Sequence, residues 1–224
     1  MALTLYLHPL ASFCHKVLIA LYENETPFMP HIVDLMDPDA SASFLSLWPV
    51  GKIPVLRDEA CDKTIPETTI IVDYLEQYYP GRQRLIPEIT EQAIDARLWD
   101  RFFDLYIHVP MQKIVIDNFR PSGENDRHGV AEAHANILTA YGMLERHLSD
   151  KVWAIGQRFS LADCAAAPAL FYAGITTPFD GAYPNIAAYF DRLVERPSVR
   201  RVIDEARPYF PMFPLNDRIP KRFL

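Results

Sequence analysis

The sequence predicts a mixed α/β unit followed by an all-helical unit. Three observations carry this: short β-rich runs alternate with amphipathic stretches up to about residue 79, a Pro80-Gly81 break follows, and helical periodicity alone runs beyond it. Leu3-Thr4-Leu5-Tyr6-Leu7 is the first strand. Residues 13–22 carry Val17, Leu18, Ala20 and Leu21 at helical spacing, and residues 28–33 read as a second strand. Residues 39–47 suit a short helix, and residues 53–56 a third strand. A turn at Asp62-Lys63 leads to a fourth strand. Residues 69–79 form a helix with Ile70, Ile71, Tyr74, Leu75 and Tyr78 on one face. The order is βαβ then ββα, which predicts a four-stranded mixed sheet with helices packed on it.

The break defines three regions: 1–80, a linker at 81–89 and a helical region at 90–224. In the last, residues 90–118 are one long helical stretch with Pro110 inside, so a kink or break is expected there. Residues 127–148 form another helix, and residues 161–173, rich in alanine and almost uncharged, a buried one. Residues 185–195 and 198–206 start at or just after prolines, as helices often do. Residues 208–224 hold four prolines and many aromatics and are expected to lie extended over a surface.

Composition narrows the function. The chain has 224 residues, half of them hydrophobic and 23% charged, as for a packed globular protein. No apolar run is long enough to span a membrane, and the first residues do not read as a secretory signal. The net charge is -7 and basic residues do not cluster, which argues against nucleic acid as a partner. Three cysteines, Cys14, Cys61 and Cys164, suit a reducing cytoplasm better than a disulfide framework. No metal site is expected: His8 and His15 flank Cys14, but a third ligand is missing and no zinc spacing occurs.

Four short motifs can carry chemistry. Ser12 stands where the first strand hands over to a helix. It can cap that helix, or its hydroxyl can donate to a thiolate held by the free N–H groups and dipole of the helix end. Lowering a thiol pKa by ~2 units from about 8.5 corresponds to roughly 2.7 kcal/mol, within reach of a charge-assisted hydrogen bond plus the dipole. Ala11-Ser12-Phe13-Cys14 fills the window of a C-x-x-C redox motif, but alanine holds the attacking position, so Cys14 reads as a buried structural thiol. Lys52-Ile53-Pro54 places proline inside a strand-like run. That is either an edge strand or a cis turn that exposes the backbone of Ile53 to an extended peptide, with Lys52 available for a carboxylate. Glu67-Thr68 opens a helix; it is an ordinary cap, or a pair suited to the ammonium and carboxylate of a glutamyl ligand. A further pair, Ser160 and Asp163, has capping-box spacing and reads as structural.

Taken in order, these motifs resemble the cytosolic glutathione transferase family. Residues 3–79 are similar to its thioredoxin-like, glutathione-binding domain, and residues 90–206 to its all-helical domain, including the Ser160–Asp163 box. The resemblance is to serine-type, bacterial-like members, distantly zeta- or theta-like. It implies a cytoplasmic, homodimeric detoxification enzyme with glutathione as co-substrate and no other cofactor. It implies that Ser12 activates the thiol, that Pro54 is cis with the Ile53 backbone on the cysteinyl unit, that Glu67 and Thr68 hold the γ-glutamyl end, and that Lys52 holds the glycyl end. One departure is plain: counting back from Val17, the usual catalytic serine aligns with Ala11, one place before Ser12. The zeta class has consecutive serines here, whereas cysteine-type classes place their nucleophile at the Ala11 position. A hydrophobic electrophile is expected between the two regions, near Leu10, Phe103, Tyr106, Pro110 and the aromatic tail. A glutathione-dependent isomerase of the maleylacetoacetate type, and a non-catalytic binding module on the same fold, are the alternatives.

Overall fold

The computed structural model describes residues 2–34, 37–179 and 181–224. Four strands, β1 (Leu3–Leu7), β2 (Met29–Ile32), β3 (Val55–Asp58) and β4 (Lys63–Pro66), form one sheet in the order β2-β1-β3-β4. β1 runs parallel to β2 and antiparallel to β3, and β3 runs antiparallel to β4. The sheet is therefore mixed, as expected from the sequence.

Strand alternation divides its two faces. Leu3, Leu5 and Leu7 are buried with α1 (Ser12–Glu23) and α3 (Thr68–Tyr78). On the other side α2 (Pro38–Leu47) supplies Phe44 to a small cluster with Val33 and Val55. The start of α2 is explained by Asp37, whose carboxylate accepts the N–H groups of Asp39 and Ala40, with Pro38 in the first turn.

The rest of the chain is helical: α4 (Thr90–Phe102), α5 (Val109–Asp117), α6 (Arg127–His147), α7 (Leu161–Thr176), α8 (Pro184–Glu195) and α9 (Pro197–Ala206). Nearly every residue of α7 is buried, and α1 and α4 both pack on it, so the sheet region and the helical region share one continuous core. Arg196, ahead of α9, grips Glu23 of α1 with two hydrogen bonds of 2.7 and 2.6 Å and lies over the ring of Phe159.

Ser160 and Asp163 do form a capping box at the head of α7. The Asp163 carboxylate accepts from the Ser160 and Ala154 N–H groups, both at 2.8 Å, and from the hydroxyls of Ser160 (3.0 Å) and Tyr189 (2.6 Å). It is fully buried, and desolvation raises its pKa against those hydrogen bonds. Asp163→Ala strands all these donors. It should cost about 3 kcal/mol or more and lower the melting temperature by roughly 6–12 °C, as read by thermal unfolding.

Two expectations need correction. The long helix does not break at Pro110: helical backbone runs on from α4 into α5, and the irregularity lies just ahead of the proline. Residues Phe103–His108 form a π-helical turn in which the Val109 N–H bonds to the Asp104 carbonyl five residues back. Pro110 follows as the second residue of α5, and the widened turn ahead of it accommodates its ring and missing N–H without ending the helix. The tail is not extended. It folds into 3₁₀ turns at Arg207–Met212, Asn216–Arg218 and Lys221–Phe223. Between and within these turns Phe210, Phe213, Leu215, Ile219 and Phe223 are buried against the core. Burial of the aromatics makes the turns stable where the prolines forbid a helix.

Candidate functional site

Sheet register brings the separate motifs to one end of the molecule. Tyr6 pairs with Val55, and Val55 with Pro66. The exit of β1 toward Ser12, the entry to β3 after Ile53-Pro54, and the exit of β4 toward Glu67 and Thr68 therefore lie side by side. A second tie confirms the juxtaposition: the Lys16 ammonium, one turn into α1, donates to the Thr69 hydroxyl in the first turn of α3 at 3.1 Å.

The loop before Ser12 is pinned. The Pro9 carbonyl accepts from His15 Nε2 at 2.6 Å, and the Leu10 carbonyl accepts from the Tyr172 hydroxyl at 2.9 Å. Burial lowers the His15 pKa to about 4, so this ring is neutral near pH 7 and its Nε2–H is the donor. Ser12 is not the N-cap. Ala11 occupies that position, in extended conformation, and Ser12 is the first residue of α1. Its hydroxyl lies 2.5 Å from Nε2 of His108, at the end of the π-helical turn. The His108 ring is buried and stacks on Phe13 with centroids 3.8 Å apart and planes 2° from parallel. Burial, helped by the positive charge of Lys16, pushes its pKa down to about 3, so it too is neutral.

Behind Ser12 lies a buried ionic cluster. Lys16, with no exposed surface, pairs with Asp100 and with Asp104 (2.8 Å). The Thr69 hydroxyl donates to Asp100 at 2.7 Å, and the Arg101 guanidinium to Asp104 at 2.9 Å. Desolvation raises the Asp104 pKa, with Lys16 acting against it. Sequence reading did not select Lys16, Asp100, Asp104 or His108. The signal was present: Asp100, Asp104 and His108 recur every four residues on a long helical stretch, as Ser12 and Lys16 do on α1.

The Ile53–Pro54 peptide is cis. Ile53 lies beyond the paired residues of β3, which begin at Val55. Glu67 has a left-handed backbone (φ 68°), and its side chain makes no capping bond to α3. The first N–H groups of α3 are thus left for another acceptor. Glu67 and Lys52 are exposed, and Thr68 is buried. Of the residues expected near an electrophile, Tyr106 is exposed and Leu10 and Pro110 half-buried, while Phe103 is fully buried in the helical core and presents no surface to a ligand. In the tail, Tyr209 meets His8 edge-on at 5.0 Å, which brings the C-terminal turns to the same loop. Two surface hollows of about 460 and 290 Å³ lie elsewhere, along residues 195–205 and 109–130, and neither is lined by Ser12, Ile53 or Glu67.

Cys14 is buried and its thiol is pushed up to about 12 by desolvation, so it is protonated and inert at neutral pH. Among the described residues no group of His, Cys, Asp or Glu side chains could hold a metal ion, and no helix is long and apolar enough to cross a membrane.

A mixed sheet with a cis-proline turn at the end where its first helix begins, joined to a helical bundle, defines a two-part fold, an α/β unit carrying an all-helical one. The comparisons identify the family. Residues 5–83 match the family model for the glutathione S-transferase N-terminal domain, and residues 102–197 that for the C-terminal domain. Glutathione S-transferase GstB of Escherichia coli is 29% identical over 194 residues, which is 84% of this chain and 91% of that protein. Among solved structures, a glutathione S-transferase from Methylobacillus flagellatus with GSH bound superposes with a TM-score of 0.82 at 24% identity, covering 89% of this chain and 98% of that one. One from Methylobacterium radiotolerans, in complex with glutathione sulfonate, gives 0.78 at 26% identity, covering 89% and 93%. The chain belongs to the glutathione S-transferase family.

Proposed function

We propose that this glutathione transferase holds glutathione across the sheet end and stabilises its thiolate with the Ser12 hydroxyl, for attack on a hydrophobic electrophile. The observation that carries the reading is the convergence of Ser12, the cis Ile53–Pro54 turn and the uncapped head of α3, imposed by the Tyr6–Val55–Pro66 register. In this reading the Ile53 backbone pairs with the cysteinyl unit as one more strand. The Thr68 N–H and hydroxyl take the γ-glutamyl carboxylate, Glu67 its ammonium, and Lys52 the glycyl carboxylate. Two relatives carry glutathione or its sulfonate, which supports the same ligand here. The electrophile lies over Leu10, Tyr106 and Pro110, in a cytoplasmic, serine-type enzyme.

Chemically the task is small. The thiol must be ionised before the electrophile arrives, and the pair must be oriented. No cofactor is required. Ultraviolet titration of bound glutathione tests this: its thiolate should appear well below the pH at which the free thiol ionises. Titration at the free value, with glutathione bound, would rule the mechanism out.

We also propose a homodimer through the outer faces of α3 and α4. These helices are tied by Arg97–Asp73 and leave Ile70, Tyr78, Ile94 and Leu98 exposed on their surfaces. Leu98→Glu should yield a monomer in sedimentation equilibrium. A persistent dimer would place the interface elsewhere.

A further inference from the structure

We infer that His108 is a positioning residue for the reaction: its Nε2–H donates to the Ser12 oxygen and so leaves the Ser12 proton free for the thiolate. The inference rests on the reading of Ser12 given above, and goes beyond it by assigning the group that aims the hydroxyl.

The geometry allows two arrangements across the 2.5 Å contact. In one, Ser12 donates to a bare Nε2. Its only proton is then spent on the ring and cannot reach a sulfur. The imidazole proton must then sit on Nδ1, which is buried without a hydrogen-bond partner among the described residues. In the other, Nε2–H donates to Ser12, and Nδ1 is a bare acceptor. Both leave Nδ1 unpaired, but an orphaned buried N–H is the rarer fault in proteins. Only the second leaves a hydroxyl that can turn to an anion.

The surroundings hold the ring in that state. Stacking on Phe13 fixes its plane, and burial, with the charge of Lys16 second, keeps the ring neutral. A neutral ring cannot donate from both nitrogens, so the tautomer decides what Ser12 can do. A hydroxyl that accepts from Nε2–H is also a better donor, because successive hydrogen bonds polarise one another. His108 makes no contact with glutathione in this scheme; it acts through Ser12. The π-helical turn delivers it there, since His108 is the last residue of that turn.

Two measurements test the inference. Nitrogen-15 NMR of the wild-type protein reports the tautomer directly: the Nε2–H form is expected, and an Nδ1–H form with glutathione bound overturns the proposal. The second is the thiol titration in variants. His108→Phe keeps the stacked ring and removes the donor. It should raise the bound-thiol pKa by about one unit and lower kcat roughly tenfold at pH below the wild-type bound-thiol pKa, with KM little changed. His108→Gln, whose amide N–H can reach the same oxygen, should restore most of both. Adding His108→Phe to Ser12→Ala should cause no further shift, because the two act as one unit. A wild-type titration in His108→Phe, alongside a raised one in Ser12→Ala, would overturn the role of His108 and leave that of Ser12 intact. An unshifted titration in Ser12→Ala would remove the premise itself.

Discussion

Ser12→Ala should raise the pKa of bound glutathione by ~1–2 units, the value of one charge-assisted hydrogen bond of about 1.5–3 kcal/mol. At pH below the wild-type bound-thiol pKa, kcat/KM should then fall by roughly 10–10², and by less at neutral pH. Glutathione affinity should change little, because Ile53, Glu67, Thr68 and Lys52 remain. The pH profile separates loss of thiolate from loss of binding. If only ionisation is impaired, the rate follows the thiolate fraction, so the deficit is largest below about pH 7 and closes as pH rises past the new pKa. A parallel loss at every pH would mean that Ser12 orients the sulfur instead. An unchanged titration would assign activation to the free N–H groups at the head of α1.

Lys16→Met should be the most destabilising of these changes. Met is close in shape, so packing is largely kept. Two buried carboxylates, Asp100 and Asp104, then lose their shared cation. Breaking a buried pair in this way typically costs about 3–5 kcal/mol, or roughly 6–20 °C in melting temperature. The sign of the pH dependence is specific. The Asp104 pKa is already raised by burial, and loss of Lys16 raises it further. A carboxyl whose folded pKa exceeds its unfolded one stabilises the fold at low pH and loses that contribution as pH rises through the folded value. The deficit of the variant should therefore narrow on acidification from pH 7 toward 5 in chemical denaturation. Adding Asp100→Asn and Asp104→Asn should recover part of it. A deficit that grows with acidification would locate the damage elsewhere. In the wild-type protein the buried histidines work in the opposite direction. His15 and His108 have folded pKa values depressed to about 4 and about 3, so their contributions are present above about 6.5 and lost as pH falls through those values.

Local physics made much of this legible in advance. Each strand and helix of the sheet region is a short run bounded by turn residues, so the βαβ-ββα order could be read directly, as could the box at Ser160 and Asp163. What could not be read was long-range. The meeting of Ser12 with His108 spans 96 positions and depends on how α4 and the π-helical turn pack on α1. Pro110 was expected to kink or break the helix, and the chain instead absorbs it with a π-helical turn just ahead of the proline. Ser12 looked like a cap because serine favours that role, but Ala11 takes the position and the hydroxyl is left for other work. Phe103 had pocket spacing, yet the same spacing serves a core, and the core has it.

The π-helical turn has one more consequence, best put in terms of phase. A residue added to a helix rotates everything beyond it by about 100°, and a π turn accommodates such an extra residue without unwinding its neighbours. Phe103–His108 is in that sense a phase shifter between α4 and α5. Removing one residue between Asp104 and His108 would leave Asp100 and Asp104 on their lysine while swinging His108, and the whole of α5 after it, to a different bearing. The ionic cluster and the serine contact, adjacent in space, can thus be uncoupled by a change in length alone, without altering a single side chain in either.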